Sequence, residues 1–222
     1  IKTSLIGSGI GVSIIKQGTT SEKSCVIVPA QSGGLSISNL TIVGNEKNVG
    51  LLFENSVAER EHHEFSYTTQ KTWEHVQPYK WISVHEVCIY RFDVGLCIEP
   101  SGFNVNIQNC TFGKNGDGVI MKCSDSSISN CYINNNTRNG LWLVGSNNRV
   151  SDIKSIFNGK ENAFMYAAIL IEGNRCLFTN IETQDNYCKG FHIKGTANLL
   201  SNCLSNTDGY GKEPKGYYEN AD

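Results

Sequence analysis

The chain has 222 residues and a formal net charge of −2 at pH 7, with 22 Gly and 24 Asn against only 4 Pro and 2 Met. That profile excludes a helical bundle, a basic phosphate-tracking surface for nucleic acid and a membrane-spanning apolar helix. Nine Cys, an odd number with no CxxC pair and no zinc-type spacing, argue against a disulfide framework and for assembly in a reducing compartment.

In chain order, the sequence opens on SLIGSGIGVSII at 4–15, an apolar stretch broken by glycine. Two phrases then take turns. The first, ISNLTI at 37–42, returns as VHEVCI at 84–89, IQNCTF at 107–112, ISNCYI at 128–133, VSDIKS at 150–155, FTNIET at 178–183 and LSNCLS at 200–205. The second, VGLLFE at 49–54, returns as VGLCIE at 94–99, DGVIMK at 117–122, NGLWLV at 139–144, AAILIE at 167–172, KGFHIK at 189–194 and KGYYEN at 215–220. Its small residues Gly50, Gly95, Gly118, Gly140, Ala168, Gly190 and Gly216 are separated by 45, 23, 22, 28, 22 and 26 residues. Both phrases alternate apolar and polar residues and are punctuated by Asn, Asp and Gly, which is strand chemistry.

A helix-free unit of about 22 residues cannot bury its apolar face alone and must stack on its neighbours. The expected fold is all-β, a right-handed parallel β-helix occupying 1–222 as one domain, a piece of a longer protein. Stacking makes ladders of equivalent residues. Leu51, Leu96, Val119, Leu141, Ile169 and Phe191 form one inward ladder, and Phe53, Ile98, Met121, Leu143, Ile171 and Ile193 the next. The column Asn39, Glu86, Asn109, Asn130, Asp152, Asn180 and Asn202 marks a corner, where Asn tolerates left-handed backbone and amides stack. Cys110, Cys131 and Cys203, each after an Asn of that column or its equivalent, read as small buried hydrophobes.

The GLxI and ISNC phrases at this period resemble the pectin-lyase-like superfamily of right-handed β-helices, and SLIGSGIGVSII looks like the first coil of its phage tail-spike and polysaccharide-lyase branch. Free cysteines and Asn-rich coils look most like a bacteriophage tail-spike or appendage domain. The resemblance implies a homotrimer in the virion tail, assembled in the host cytoplasm, that binds or cuts a host surface carbohydrate polymer. It leaves open a non-catalytic shaft, and a secreted lyase or epimerase. In polygalacturonase-type members an Asp pair precedes the equivalent strand and a GHG motif follows one coil later. Only Asp117 matches; Gly116 stands for the first Asp and Asn139 for the His.

Ligands meet outward positions. One outward ladder is Leu52, Cys97, Ile120, Trp142, Leu170, His192 and Tyr218, largely apolar and therefore read as an exposed contact patch for subunits or for sugar stacking on Trp142. The other is Glu54, Glu99, Lys122, Val144, Glu172 and Lys194, supplying carboxylates and amines for hydroxyl groups. Asp93 and Asp117 precede the strand on consecutive coils and form a candidate carboxylate pair for glycoside cleavage, with Glu99 and Glu172 as further candidates. A long insertion at 55–81 carries His62, His63 and Trp73 and points to a binding face. No zinc spacing accompanies those histidines, so no metal and no cofactor is expected. This insertion, with shorter ones at 159–167 and after Asp208, is expected to wall a groove floored by Trp142 and His192.

Overall fold

Apolar and β-branched residues at every second position hold each phrase extended, because that spacing alone puts them on one face of a pleated strand. The computed structural model describes residues 4–209 apart from 19, 22, 30–33, 55–81 and 101–103. The expected final copy at 215–220 and the insertion at 55–81 lie outside the described residues. In chain order the strands are β1 (Leu5–Ile6), β2 (Ile14–Lys16), β3 (Val26–Val28), β4 (Ser36–Val43), β5 (Val49–Phe53) and β6 (Ile82–Tyr90). There follow β7 (Val94–Ile98), β8 (Val105–Gln108), β9 (Thr111–Gly113), β10 (Asp117–Met121), β11 (Ser127–Asn134) and β12 (Leu141–Leu143). The last are β13 (Arg149–Ile156), β14 (Ala167–Ile171), β15 (Leu177–Gln184), β16 (Lys189–Ile193), β17 (Leu199–Ser201) and β18 (Leu204–Asn206).

The strands stack in two sheets, and every pairing is parallel. One sheet runs β3-β5-β7-β10-β12-β14-β16; the other runs β1-β4-β6-β8-β11-β13-β15-β17, with β2, β9 and β18 continuing the same coils. Together they form a parallel β-helix. Register follows the anticipated ladders: Val119 pairs with Leu96 and Leu141, and Ile169 with Leu141 and Phe191. Both inward ladders are fully buried from Leu51 and Phe53 to Ile169 and Ile171, and one apolar cluster runs through the interior.

The anticipated corner column adopts the left-handed conformation at all seven rungs, with φ between 49° and 55°. Two further left-handed columns turn each coil: Arg91, Lys114, Asn135, Phe157, Asp185 and Thr207, and Asn104, Asp125, Asn147, Arg175 and Ala197. Inside one of these turns runs a second amide ladder that sequence reading did not single out: Asn115, Asn136, Asn158, Asn186 and Asp208, each no more than 1% exposed. The backbone N–H of each rung donates to the side-chain oxygen of the next, at 3.0, 3.1, 2.8 and 3.0 Å from Asn115 to Asp208. The side-chain amides also donate forward, Asn136 to Asn158 and Asn158 to Asn186 at 2.9 Å and Asn186 to Asp208 at 2.7 Å. Their second proton satisfies a strand-end carbonyl inside the coil, such as Phe112 or Ile133 at 3.2 Å. Buried turn backbone thereby keeps its hydrogen bonds without water.

Candidate functional site

The outer face of the seven-stranded sheet is built by the kink at the small residue of each GLxI phrase. At Gly118 a Cβ would come within 2.8 Å of the Asn136 side-chain amide and 2.9 Å of the Ile133 side chain, both buried inside the coil. Gly118 and Val119 therefore both face inward, and the preceding residue is left outside. Val94 accordingly packs with Cys97 and Ile120 in an outer apolar cluster that Val49, Leu52 and Trp142 extend. Pairing of Ile120 with Cys97 and Trp142, and of Leu170 with Trp142 and His192, sets the outward ladder in the expected register. The expected exposure differs from the outcome. Cys97, Ile120 and Leu170 are only 5%, 7% and 7% exposed, because rungs about 4.8 Å apart shield one another and charged side chains lie alongside. Only Leu52, Trp142 and His192 of the described rungs remain half-exposed.

Ahead of these strands, Arg138 gathers Asp93 and Asp117. Its Nε donates to Asp117 Oδ2 at 2.8 Å, its Nη1 to Asp93 Oδ1 at 2.8 Å and its Nη2 to the Asp93 carbonyl at 2.9 Å. The other Asp117 oxygen accepts the backbone N–H and the side-chain amide of Asn139, at 3.1 and 2.9 Å. Burial opposes the guanidinium's charge, but the bonds to Asp93 and the nearby Asp117 carboxylate overcome it and raise the Arg138 pKa. Gly116 makes room for this arrangement. A Cβ there would lie 2.3 Å from the Asp93 carbonyl and 2.6 Å from Arg138 Nη2, so the position where polygalacturonase-type chains carry an Asp is sterically taken. Arg138 is the site residue that sequence reasoning missed. Its one sequence signal was its place directly before the NGLWLV phrase, where an outward side chain reaches the preceding coils.

Farther along the face, Trp142 donates its indole N–H to Glu172 Oε2 at 2.8 Å, and Lys194 donates to Glu172 Oε1 at 2.8 Å. The bond from Lys194, with a lesser contribution from Trp142, outweighs desolvation and holds the Glu172 carboxyl below its ordinary range. Lys122 donates to Glu99 at 3.4 Å. Burial, followed by Lys189 and Lys194, lowers the His192 pKa, so its ring is neutral at pH 7. The fold thus assembles Asp93 with Asp117, Glu99 with Lys122, and Trp142, Glu172 and Lys194 beside His192. His62, His63 and Trp73 lie outside the described residues. His192 also borders a cleft of about 590 Å³ at the last described coil, where Phe191, Leu200 and Cys203 pack half-buried against the core. Among the described residues no cluster of three His, Cys, Asp or Glu side chains is disposed to hold a metal ion, and no helix is long and apolar enough to cross a membrane.

Comparison with known proteins agrees with this architecture. Tailspike protein 2 of bacteriophage CBA120, solved as its enzymatically active domain, superposes with a TM-score of 0.79 at 18% identity, over 94% of this chain and 33% of that one. The full-length tailspike protein 2 from an Escherichia coli O157:H7 bacteriophage gives 0.74 at 17% identity, over 93% and 31%. The A-module of the Azotobacter vinelandii mannuronan C-5 epimerase AlgE4 gives 0.61 at 15% identity, over 94% and 63%. At such identities the likeness is one of fold, and the chain spans about a third of the length of the tailspike chains it matches. No curated protein matches it. The family described as right-handed beta helix region matches residues 67–214, two thirds of the sequence, and the chain belongs to that right-handed β-helix family.

Proposed function

We propose that the outer face of the seven-stranded sheet binds an extended host-surface polysaccharide lying along the coil axis, as part of a trimeric phage tailspike or tail appendage. The observation that carries this reading is the fixed indole of Trp142 between ionised groups. Glu172 pins its N–H, which leaves a ring face for the apolar side of a sugar, while Lys194, Lys122 and Glu99 offer donors and acceptors to hydroxyls on neighbouring rungs. The phage tailspike and mannuronan epimerase folds among its structural neighbours support a polymer as the ligand.

Binding without cleavage is the form of this reading that the charges favour. A general acid must hold its proton near neutral pH. Asp93, Asp117, Glu99 and Glu172 each face a cationic partner within 3.4 Å, and Glu172 is shifted toward ionisation. These carboxylates orient hydroxyls and cations. A depolymerase reading draws on one observation, the convergence of Asp93 and Asp117 on a single guanidinium. Incubation with purified capsular and O-antigen polysaccharides separates the two. Expected are measurable binding by calorimetry, unchanged polymer length by size-exclusion chromatography, and an affinity lowered about ten-fold or more by Trp142→Ala. Polymer shortening that Asp117→Asn abolishes would instead establish cleavage. Full affinity in Trp142→Ala would remove this face from consideration.

A further inference from the structure

The corner ladder on the outside of the eleven-stranded sheet is interrupted where a carboxylate takes the place of Asn, at Glu86 and at Asp152. Among the described residues the side-chain amide of one rung donates to the rung before at three places: Asn130 to Asn109 at 2.7 Å, Asn180 to Asp152 at 3.0 Å and Asn202 to Asn180 at 2.7 Å. An ionised Asp has no proton to give. Asp152 therefore cannot serve Asn130, and among the described residues no hydrogen bond joins the two. Asn130 Oδ1 and the second Asp152 oxygen remain as two acceptors on exposed rungs about 4.8 Å apart.

This break borders a cleft of about 330 Å³. Asn109, Asn130 and Asp152 make one wall, and Thr111, Tyr132 and Lys154 the other. Lys154 is held toward the next coil by Glu182, 3.3 Å away. The chemistry of the walls narrows the ligand. A hard cation such as calcium takes six to eight oxygens, and this cleft offers few, with an ammonium group beside them. An anion would meet the Asp152 carboxylate and the Asn130 carbonyl. A neutral sugar satisfies both acceptors with the O–H groups of a vicinal diol, gives its own oxygens to the Thr111 hydroxyl and lays a C–H face against Tyr132. We propose that this cleft is a second carbohydrate site, specific for neutral vicinal diols and created by the Asp152 rung. It lies on the opposite sheet from Trp142 and stands independently of the polymer-binding face.

The test is a titration of the whole chain with methyl α-mannopyranoside, methyl β-galactopyranoside and maltose, following side-chain amide resonances by NMR. The expected result is a saturable shift of the Asn130 amide with at least one of these sugars. Asp152→Asn restores the missing donor in an isosteric side chain that the corner already accepts at five of its seven rungs. It should raise Tm by about 1–3 °C while weakening the sugar about ten-fold or more. Trp142→Ala should leave the Asn130 titration unchanged. The proposal is overturned by the lack of any saturable Asn130 shift with all three sugars, by unchanged affinity in Asp152→Asn, or by loss of the shift in Trp142→Ala.

Discussion

Removing the side chain of Asn158 strands several buried groups at once. Its oxygen accepts the Asn136 N–H and Nδ2, at 3.1 and 2.9 Å, and its own amide serves the Ile133 carbonyl at 3.2 Å. A buried polar group left without a partner costs about 1–3 kcal/mol, so Asn158→Ala should destabilise the fold by about 3–5 kcal/mol in urea unfolding. A loss under 1 kcal/mol would show that the interior ladder contributes little. This ladder illustrates the limit of legibility at single residues. The outer column could be read because each Asn stands inside an apolar strand phrase at a fixed place. In the run Asn134, Asn135, Asn136 the composition is uniform but the roles differ. Asn134 ends a strand, Asn135 takes φ 55° and Asn136 is wholly buried, a division made by backbone direction alone.

Single strands of the seven-stranded sheet are short, and their outer side chains act through neighbours one coil away. Lys194 on the coil of β16 bonds Glu172 on the coil of β14 and also bears on His192. Both titrations are displaced downward, and the sign is the same for each. The stability that Glu172 contributes is present above its ordinary pKa of 4.5 and is lost as pH falls through its lower native value. The stability tied to neutral His192 is present above 6.5 and declines as pH falls from there toward its native pKa. Replacement by Lys194→Met removes a cation from beside the imidazole and leaves Glu172 without its cationic partner. The His192 pKa should therefore rise in an NMR titration, while the change in stability stays within about 1 kcal/mol because Lys194 is half exposed. An unmoved or lowered His192 pKa would contradict this arrangement. Register at this scale was legible: the alternation that put Trp142 and His192 on one ladder is the alternation observed. Pairing of each charge was not, since the spacing of strands says which rungs adjoin and leaves long side chains to choose among them.

The nine cysteines are all free thiols; seven are buried, and Cys25 and Cys203 are half-buried. Burial, with Glu99 adding, pushes the Cys97 thiol up to about 12, and burial brings Cys123 to about 11. Thiolates are the reactive form. Alkylation of the native chain at pH 7.5 should therefore label Cys203 and, more slowly, Cys25, with all nine reacting only in denaturant. Rapid native labelling of Cys110 or Cys131 would mean that the interior opens on the timescale of the experiment. The same profile orders the coils by stability, since each touches only its neighbours. Ile14 and Ile193 near the described ends are 47% and 46% exposed, whereas Thr41 and Ile171, their register partners one coil inward, are 7% and 0% exposed. A repeat visible as two recurring phrases was enough to infer this stack, because the period sets the coil. The interior amide ladder adds something the period does not contain, which is a sense of direction in time. Asn136, Asn158 and Asn186 each hold a backbone and a side-chain N–H whose acceptor belongs to the coil that follows, so a chain emerging from the ribosome presents, as each of these turns is completed, two unfilled protons shaped for the next rung. Nascent coils are thus primed to recruit their successors in order. The Asp208 side chain, which only accepts, gathers the last of these protons among the described residues, together with those of the Thr183 and Ser205 hydroxyls.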